Sequence, residues 1–345
     1  MNKTYIAMWS GPRNISTALM RSFENRMDTV VIDEPFYAHF LKQTNLNHPG
    51  RDEIVSKQDS NWKSIVKSIT GPIPQNKSIW YQKHMAQHNL EGCDINWIKK
   101  LQKGIKKGKN NPSPRYVNHT KDKSLPGYHE DFWTWNLHDE FKDFIFNSPT
   151  PKIAAELLEA KRINLVMDNW FFREAGCKSA APFHHDISYF DFDGSMCVLW
   201  IPLENVKKDD GIAWVKGSHL WDRLFLRTRF NDGHQVDGDA GIVNGKKYEL
   251  TPNILENKND YEFLQWDLEV GDCIYFDMRT LHGGLNSVTP KKDVHRYTLR
   301  MAKEDSKIIY RGDWAKEERA IMEENGYKNG DDLSGKMFPT LYKVD

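Results

Sequence analysis

The sequence predicts a mainly β protein with flanking helices, in which a sandwich or jelly-roll core follows a partial α/β segment. Beyond Lys161 the chain is a series of short alternating patterns separated by Gly, Asp and Asn, which is typical of a sandwich or jelly roll. The first 92 residues instead follow the order strand, loop, helix, strand, which opens an α/β layer fold. A length of 345 residues allows two domains, and we place them at residues 1–92 and 93–345.

The elements of the first segment follow from its apolar periodicity. An apolar strand at residues 5–9 runs into a loop at 10–14, and apolar residues at helical spacing then continue to Phe23. Further strands are predicted at 29–32 and 78–82. Residues 97–105 carry one apolar helical face, and six lysines between Lys99 and Lys109 occupy the rest. We interpret these lysines as a solvated helix face rather than an anion-binding patch.

That helix opens the larger region, and Asn111 and Pro112 end it. Its short runs of β-branched and aromatic residues, bounded by turn residues, predict strands. These runs are residues 163–172, 184–190, 196–202, 211–215, 273–276 and 296–301.

Composition excludes several classes of protein. Charged residues make up 28% of the chain and balance to a net charge of zero, so no nucleic-acid partner is expected. The apolar runs are too short to cross a bilayer, and the first residues lack the apolar core of a secretion signal. The four cysteines are widely spaced singletons, which supports neither a zinc knuckle nor a disulfide framework. We therefore expect a cytoplasmic protein without a membrane partner.

A candidate metal-binding motif lies in the strand predicted at 184–190. Side chains at positions i and i+2 of a strand share a face, so His184 and Asp186 can bind one cation together, while His185 points the other way. The motif is common by chance: 13 histidines and 48 acidic residues give about two His-x-Asp/Glu matches in a chain of this length. Two other matches begin at His129 and His138, and we interpret their segment as helical or irregular.

Residues farther along the chain strengthen the first match. His282 follows a tight turn at Gly271 and a strand, and two glycines come directly after it, which allows a close approach of backbone or substrate. Fourteen residues later Arg296 lies in an alternating strand, on the same face as Thr298 and Arg300. An arginine that faces a barrel interior is costly unless it meets an anion.

This arrangement has a definite chemistry. Two imidazoles and one carboxylate on one face of Fe(II) leave three coordination positions open. The keto and carboxylate oxygens of 2-oxoglutarate can take two positions and dioxygen the third, and a guanidinium can bind the far carboxylate in a bidentate manner. We therefore expect His184, Asp186 and His282 to be the catalytic iron ligands, and Arg296 with Thr298 to hold the cosubstrate. The expected reaction releases succinate and carbon dioxide and hydroxylates a C–H bond.

With these motifs in view, residues 93–345 resemble the phytanoyl-CoA dioxygenase family. The resemblance rests on the motifs at 182–186, 200–203, 215–219 and 271–272, and on His282 through Arg296. It implies a double-stranded β-helix, a cupin-like jelly roll, with iron and 2-oxoglutarate bound by the residues named above. It also implies that Trp200 and Met167 line the cosubstrate pocket. The retained Asp186 speaks against halogenase relatives, which give up this carboxylate.

Residues 1–92 instead resemble the start of sulfotransferase-like proteins, through the motifs at 9–17, 33–35 and 80–84. In that family the first, P-loop-like loop binds the phosphosulfate of the donor. The resemblance implies that Gly11, Arg13, Ser16 and Thr17 are the corresponding phosphate-binding residues. The remaining donor contacts of such a domain are missing, so we expect a structural or vestigial role for this segment rather than sulfotransfer.

Three functions remain to be compared. The first is an Fe(II)- and 2-oxoglutarate-dependent hydroxylase of a small organic or acyl substrate. The second is a sulfotransferase-like or nucleotide-binding protein that acts through the N-terminal loop. The third is a cupin-like protein that binds metal without catalysis. The identity of the substrate and the oligomeric state have no signature in the sequence.

Overall fold

The chain divides into two compact units, Met1–Asp94 and Ile95–Asp345. The computed structural model describes residues 3–12, 14–88, 96–230, 241–243, 246–286, 288–312 and 315–344. Within these ranges no helix combines the length and the apolar character needed to cross a bilayer.

The smaller unit is built on a parallel sheet of three strands. Its order is β1-β3-β2, with Thr4 opposite Ile79 and Thr29 opposite the same residue on the other side. The strands and helices predicted from residues 5–9, 15–23, 29–32 and 78–82 are all present. The elements are β1 (Thr4–Ser10), α1 (Ser16–Glu24), β2 (Thr29–Asp33), α2 (Tyr37–Thr44), α3 (Arg51–Lys57), α4 (Trp62–Ile69) and β3 (Ile79–Met85).

The larger unit is mostly β, with helices concentrated at its beginning. Its helices are α5 (Asn96–Asn110), α6 (Asp139–Asn147), α7 (Thr150–Leu157) and α8 (Lys316–Glu324). Its strands are β4 (Val117–Asn118), β5 (Tyr128–Phe132), β6 (Arg162–Arg173), β7 (Phe192–Asp193), β8 (Met196–Pro202), β9 (Ile212–Val215), β10 (Leu224–Phe225), β11 (Gly241–Val243), β12 (Lys246–Glu249), β13 (Phe263–Leu264), β14 (Ile274–Asp277), β15 (His282–Gly284), β16 (Val294–Lys303), β17 (Lys307–Ile308) and β18 (Thr340–Lys343).

Two antiparallel sheets organise this unit. The major sheet has the order β14-β8-β16-β6-β5-β4, and β18 pairs with β6. The smaller sheet has the order β13-β9-β15. Strand β14 is entered through Gly271, whose φ of +111° is accessible to glycine without strain. The tight turn predicted before this strand is therefore confirmed.

The two faces of the major sheet have different roles because side chains alternate along each strand. On one face Trp170, Leu199 and Tyr297 pack against α5, α6 and α7 in the main hydrophobic core. Helix α5 approaches α6 closely, since a Cβ on Gly104 would lie 2.7 Å from the Phe141 ring. Most lysines of α5 are exposed on its outer side, as expected for a solvated face. The opposite face of the sheet, which includes Val198, Arg296 and Thr298, lines a cavity.

Two local predictions were wrong. Residues 184–190 do not form a strand: the extended backbone ends at His185, and a 3-10 turn begins at Asp186. Conversely, one end of the Trp- and Asp-rich segment that we interpreted as helical or irregular is strand β5, Tyr128–Phe132, whereas the other end, at His138, is irregular and directly precedes a helix. The Trp- and Asp-rich composition obscured the alternation that places Glu130 on one face and His129 on the other.

A buried carboxylate on β6 gives a testable pH dependence of stability. Asp168 is fully buried and accepts hydrogen bonds from Thr134 Oγ1, Tyr297 OH and the backbone N–H of Trp135. Burial outweighs these bonds and raises the pKa of Asp168 to about 6. The folded state therefore retains this proton between pH 4 and 6 while the unfolded chain has released it, so this group's contribution to stability falls as the pH rises through that window.

We expect Asp168→Asn to remove this dependence. Between pH 4 and 7 the wild type should lose about 2 kcal/mol of unfolding free energy relative to the variant, because one pKa unit corresponds to about 1.4 kcal/mol. Urea unfolding of both proteins across this range measures the difference, and other titrating groups cancel in it. If the difference in unfolding free energy between the two proteins stays constant across this pH range, Asp168 ionises with an ordinary pKa.

Candidate metal centre

Two histidines from separate parts of the chain are brought together by backbone pairing. His184 and His282 form an antiparallel bridge, with N···O distances of 3.0 and 2.9 Å in the two directions. Their ring centroids lie 4.3 Å apart, and each residue is 5% exposed. The pairing needs the glycine after His282, because Gly283 lies directly against the backbone of Phe183.

The hydrogen bonds of both imidazoles define their tautomers. Nδ1 of His184 lies 2.8 Å from the carbonyl oxygen of Pro182, and Nδ1 of His282 lies 2.9 Å from that of Thr280. A carbonyl oxygen can only accept, so each Nδ1 carries the hydrogen and each Nε2 keeps its lone pair. Burial, and then the neighbouring His184 ring, lower the pKa of His282 to about 3. Histidines that bind metals are oriented by such carbonyl contacts.

Asp186 completes the group. Its Oδ1 lies 3.4 Å from Nε2 of His184 and 3.7 Å from Nε2 of His282. Burial opposes ionisation of this carboxyl, but the Arg300 guanidinium and the two imidazoles hold its pKa well below the usual range. Among the residues that the structure describes, no other set of three metal-binding side chains converges in this way. Two imidazoles and one carboxylate suit a divalent cation with open coordination positions.

The neighbouring histidine and the two other His-x-Asp/Glu matches do not contribute. His185 points away, as predicted, and its Nε2 lies 3.1 Å from the backbone N of Phe225. His129 bonds Tyr116 on the far side of β5, and His138 directly precedes helix α6. Of the residues in these two matches, only Glu130 lines the cavity into which the metal centre faces.

Arg296 faces this cavity from β16, as the alternation predicts. Its Nη1 donates to Glu204 Oε2 at 3.1 Å and to the carbonyl of His295 at 2.7 Å. Its guanidinium carbon lies 5.3 Å from the centre of the Trp200 ring. Burial, partly offset by Glu204, lowers the pKa of Arg296 to about 10, so it is a cation at neutral pH. Thr298, two residues further on, is also in the cavity lining.

The cavity has a volume of about 760 Å³, which is in the range of small-molecule sites. Tyr189, Phe190 and Arg227, which have no signature in the sequence, belong to its wall. Its aromatic side chains are Tyr128, Phe132, Phe171, Tyr189, Phe190, Trp200, Phe230 and Phe276.

One other expected position differs. Met167 is fully buried in a hydrophobic cluster with Val166 and Val198 and is not part of the described cavity lining, so its predicted role there was wrong. This role was implied by the family resemblance alone; on β6 Met167 pairs with Arg300, next to the register shift between Arg300 and Met301.

The candidate phosphate-binding residues lie in the smaller unit. Gly11 follows β1, and Ser16 and Thr17 form the first turn of α1. Arg13 lies outside the described residues. The strand–loop–helix order matches the expectation, whereas phosphate binding by these residues stays a prediction.

Gly283 offers a test of how the two histidines are positioned. A Cβ at Gly283 would lie 2.7 Å from Cα and N of Phe183, so Gly283→Ala must push the two segments apart. We expect a loss of stability of about 1–3 kcal/mol and weaker binding of Co2+, measured by calorimetry. Gly284→Ala is the matched control, because its nearest backbone atom would be 3.4 Å away. Equal behaviour of the two variants would contradict this role of Gly283.

Comparison with known proteins agrees with this geometry. Residues 106–293, more than half of the chain, match the family model described as phytanoyl-CoA dioxygenase. The chain belongs to the phytanoyl-CoA dioxygenase family. This membership supports a function of the oxygenase type. Residues 4–103 match a second model, described as a sulfotransferase domain.

Solved structures share the fold of this family member. The epimerase SnoN from nogalamycin biosynthesis, in complex with Fe3+, alpha ketoglutarate and nogalamycin RO, has a TM-score of 0.53 at 17% identity, covering 72% of this chain and 90% of that one. The carbocyclase SnoK, described as non-heme and alpha ketoglutarate dependent, has a TM-score of 0.52 at 15% identity, with coverage of 72% and 88%. At such identities the likeness shows a common fold.

Similar sequences cover a smaller part. Branched-chain-amino-acid aminotransferase-like proteins 1 and 2 of Arabidopsis thaliana are 45% and 42% identical over 87 residues. The 87 matched residues make up 25% of this chain but only 16% and 15% of the lengths of those two proteins. The chain therefore spans less than a fifth of the length of these relatives.

Proposed function

We propose that the protein is an Fe(II)- and 2-oxoglutarate-dependent dioxygenase that hydroxylates a small organic or acyl substrate. The observation that carries this proposal is the convergence of His184, Asp186 and His282 at a cavity that Arg296 also faces. In this proposal the two sheets of the larger unit form a double-stranded β-helix that holds the site between them.

The donor set is suited to Fe(II). The two imidazoles offer neutral Nε2 lone pairs, and the ionised carboxylate supplies a single negative charge. Nitrogen and oxygen donors of this kind are the ligands found in non-haem iron sites. When bound, iron and 2-oxoglutarate supply the oxidising chemistry, which consumes dioxygen and releases succinate and carbon dioxide. The fold is shared with SnoN, whose structure contains Fe3+ and alpha ketoglutarate, and this supports the choice of metal and cosubstrate.

Arg296 supplies the charge that the cosubstrate needs. The described contacts of its guanidinium use Nη1 alone, which leaves the hydrogens of Nη2 and Nε for the far carboxylate of 2-oxoglutarate. Glu204 fixes the arginine from one side and the Trp200 ring covers it. The Thr298 hydroxyl is the second donor that we assign to this carboxylate.

The aromatic wall determines what else the cavity accepts. Phe230 lies 4.9 Å from the ring of His184, and Phe276 lies 4.7 Å from that of His282. These rings exclude water from the metal centre and favour an apolar C–H group next to it. An uncharged organic or acyl portion of the substrate would occupy this part of the cavity.

The proposal is tested by incubating the purified protein with Fe(II), ascorbate and 2-oxoglutarate and measuring succinate. We expect slow succinate formation without substrate, and faster formation when a true substrate is included in a metabolite screen. Metal binding without any binding or turnover of 2-oxoglutarate would instead favour a cupin-like protein that performs no oxidation.

A further inference from the structure

The two oxygens of the Asp186 carboxylate have different surroundings. Oδ1 faces the Nε2 atoms of His184 and His282, at 3.4 and 3.7 Å. Oδ2 instead accepts a hydrogen bond from Arg300 Nε at 3.0 Å and forms an ion pair with Arg300 Nη2 at 2.8 Å. One oxygen is thus directed to the metal position, and the other is engaged by a cation.

Arg300 is itself held firmly by the major sheet. Its side chain is 7% exposed, and its Nη1 donates to Asn169 Oδ1 on β6. Nη1 also lies 3.5 Å from Thr298 Oγ1, and the guanidinium carbon lies 5.4 Å from the centre of the Phe190 ring. A buried guanidinium with this many fixed contacts has little freedom to turn.

The support extends one strand further. Asn169 Nδ2 donates to Glu130 Oε1 at 3.2 Å, and Glu130 Oε2 lies 2.6 Å from Nε2 of His119. Asn169 and Glu130 are buried and lie on neighbouring strands β6 and β5. Asn169 therefore has its amide orientation fixed from both ends, and it presents its oxygen to Arg300.

We propose that Arg300 is a positioning residue that restricts Asp186 to one-oxygen binding of the metal. This inference rests on the proposed function. A carboxylate with both oxygens available can chelate a cation and occupy a second coordination position. A bidentate cosubstrate and dioxygen require three open positions. By engaging Oδ2, Arg300 keeps all three of them open.

The alternative is that Arg300 occupies the place of the metal when the metal is absent. Its described hydrogen bonds go to Asp186 Oδ2, Asn169 and Thr298. None of these bonds reaches an imidazole nitrogen or Oδ1, where a shared metal ion has to bind. The contacts therefore favour a support for the carboxylate over a substitute for the metal.

The test replaces Arg300 by Gln and by Lys and uses Co2+ as the metal probe. We expect Arg300→Gln to bind Co2+ with a visible spectrum that differs from wild type before any 2-oxoglutarate is added, because both oxygens of Asp186 become available. The Co2+-loaded variant should bind 2-oxoglutarate on the order of 10-fold more weakly. Arg300→Lys, which can still engage Oδ2, should restore the spectrum towards wild type.

Two further variants guard against a purely structural effect. Asn169→Ala leaves both Arg300 and Asp186 in place and should change the spectrum in the same direction but less. Arg319→Gln is the matched control, since Arg319 Nε donates at 2.7 Å to the buried carboxylate of Asp191 outside the cavity lining. It should lower stability and leave the Co2+ spectrum unchanged.

An Arg300→Gln spectrum identical to that of wild type would overturn the inference, whether or not the affinity for Co2+ changes. The proposed function fails separately, and this inference with it, if the wild-type protein binds no Co2+ at all. If the wild type binds Co2+ and 2-oxoglutarate while the Arg300 variants do so equally well, only the role of Arg300 is refuted.

Discussion

Replacing His184 or His282 by alanine is expected to abolish both Fe(II) binding and the formation of succinate from 2-oxoglutarate. Each substitution removes one of three converging donors and leaves the metal with one imidazole and one carboxylate. The loss of metal affinity and of activity should exceed the roughly 10–100-fold effect that is typical when a residue hydrogen-bonded to a metal ligand is replaced. Anaerobic calorimetry with Fe(II) and a succinate assay measure the two effects.

These variants need a control for folding, because both histidines are buried. His184→Gln and His282→Gln keep most of the side-chain volume and should still lose turnover. His219→Ala, an exposed histidine outside the cavity lining, should behave as wild type. Unchanged turnover in a folded His184 or His282 variant would remove the assignment of these residues.

Replacing Arg296 by Gln is expected to weaken 2-oxoglutarate binding by roughly 100-fold and to leave metal binding intact. The substitution removes a buried cation and its fork of donors, and charge-assisted hydrogen bonds contribute about 1.5–3 kcal/mol each. Glu204 should remain in place, since His295 contacts both of its oxygens, at 2.6 and 2.8 Å. Titration of 2-oxoglutarate into Co2+-loaded protein gives the affinity directly.

The conservative variant separates charge from geometry. Arg296→Lys keeps the charge but lacks the planar fork, so its 2-oxoglutarate affinity should lie between those of wild type and Arg296→Gln. If Arg296→Gln binds the cosubstrate as wild type does, another group holds the far carboxylate. If metal binding is lost in parallel, Arg296 supports the fold and does not bind the cosubstrate.

Much of this site could be predicted from the sequence because it depends on short periodic patterns. The alternation along β16 indicated that Arg296, Thr298 and Arg300 share a face, and all three line the cavity. The glycines after His282 indicated a close backbone approach, which Gly283 makes with Phe183. In both cases the deciding geometry lies within one strand or one turn.

Long-range geometry was not available from these patterns. The pairing of Arg300 with Asp186 joins residues 114 positions apart, and nothing in either local sequence indicates it. Glu130 went unnoticed because the Trp- and Asp-rich segment around it lacks the usual composition of a strand. Likewise, the 3-10 turn at Asp186 replaces an expected strand, and the bridge between His184 and His282 fixes the site instead.

The central claim is that His184, Asp186 and His282 hold one Fe(II) to which 2-oxoglutarate binds. Anaerobic titration of the Fe(II)-loaded protein with 2-oxoglutarate tests it most directly, because chelation by the keto acid produces a visible charge-transfer band. We predict a band that saturates at one equivalent and that is absent from His282→Gln. A wild-type protein that shows no band at any concentration of 2-oxoglutarate would contradict the account.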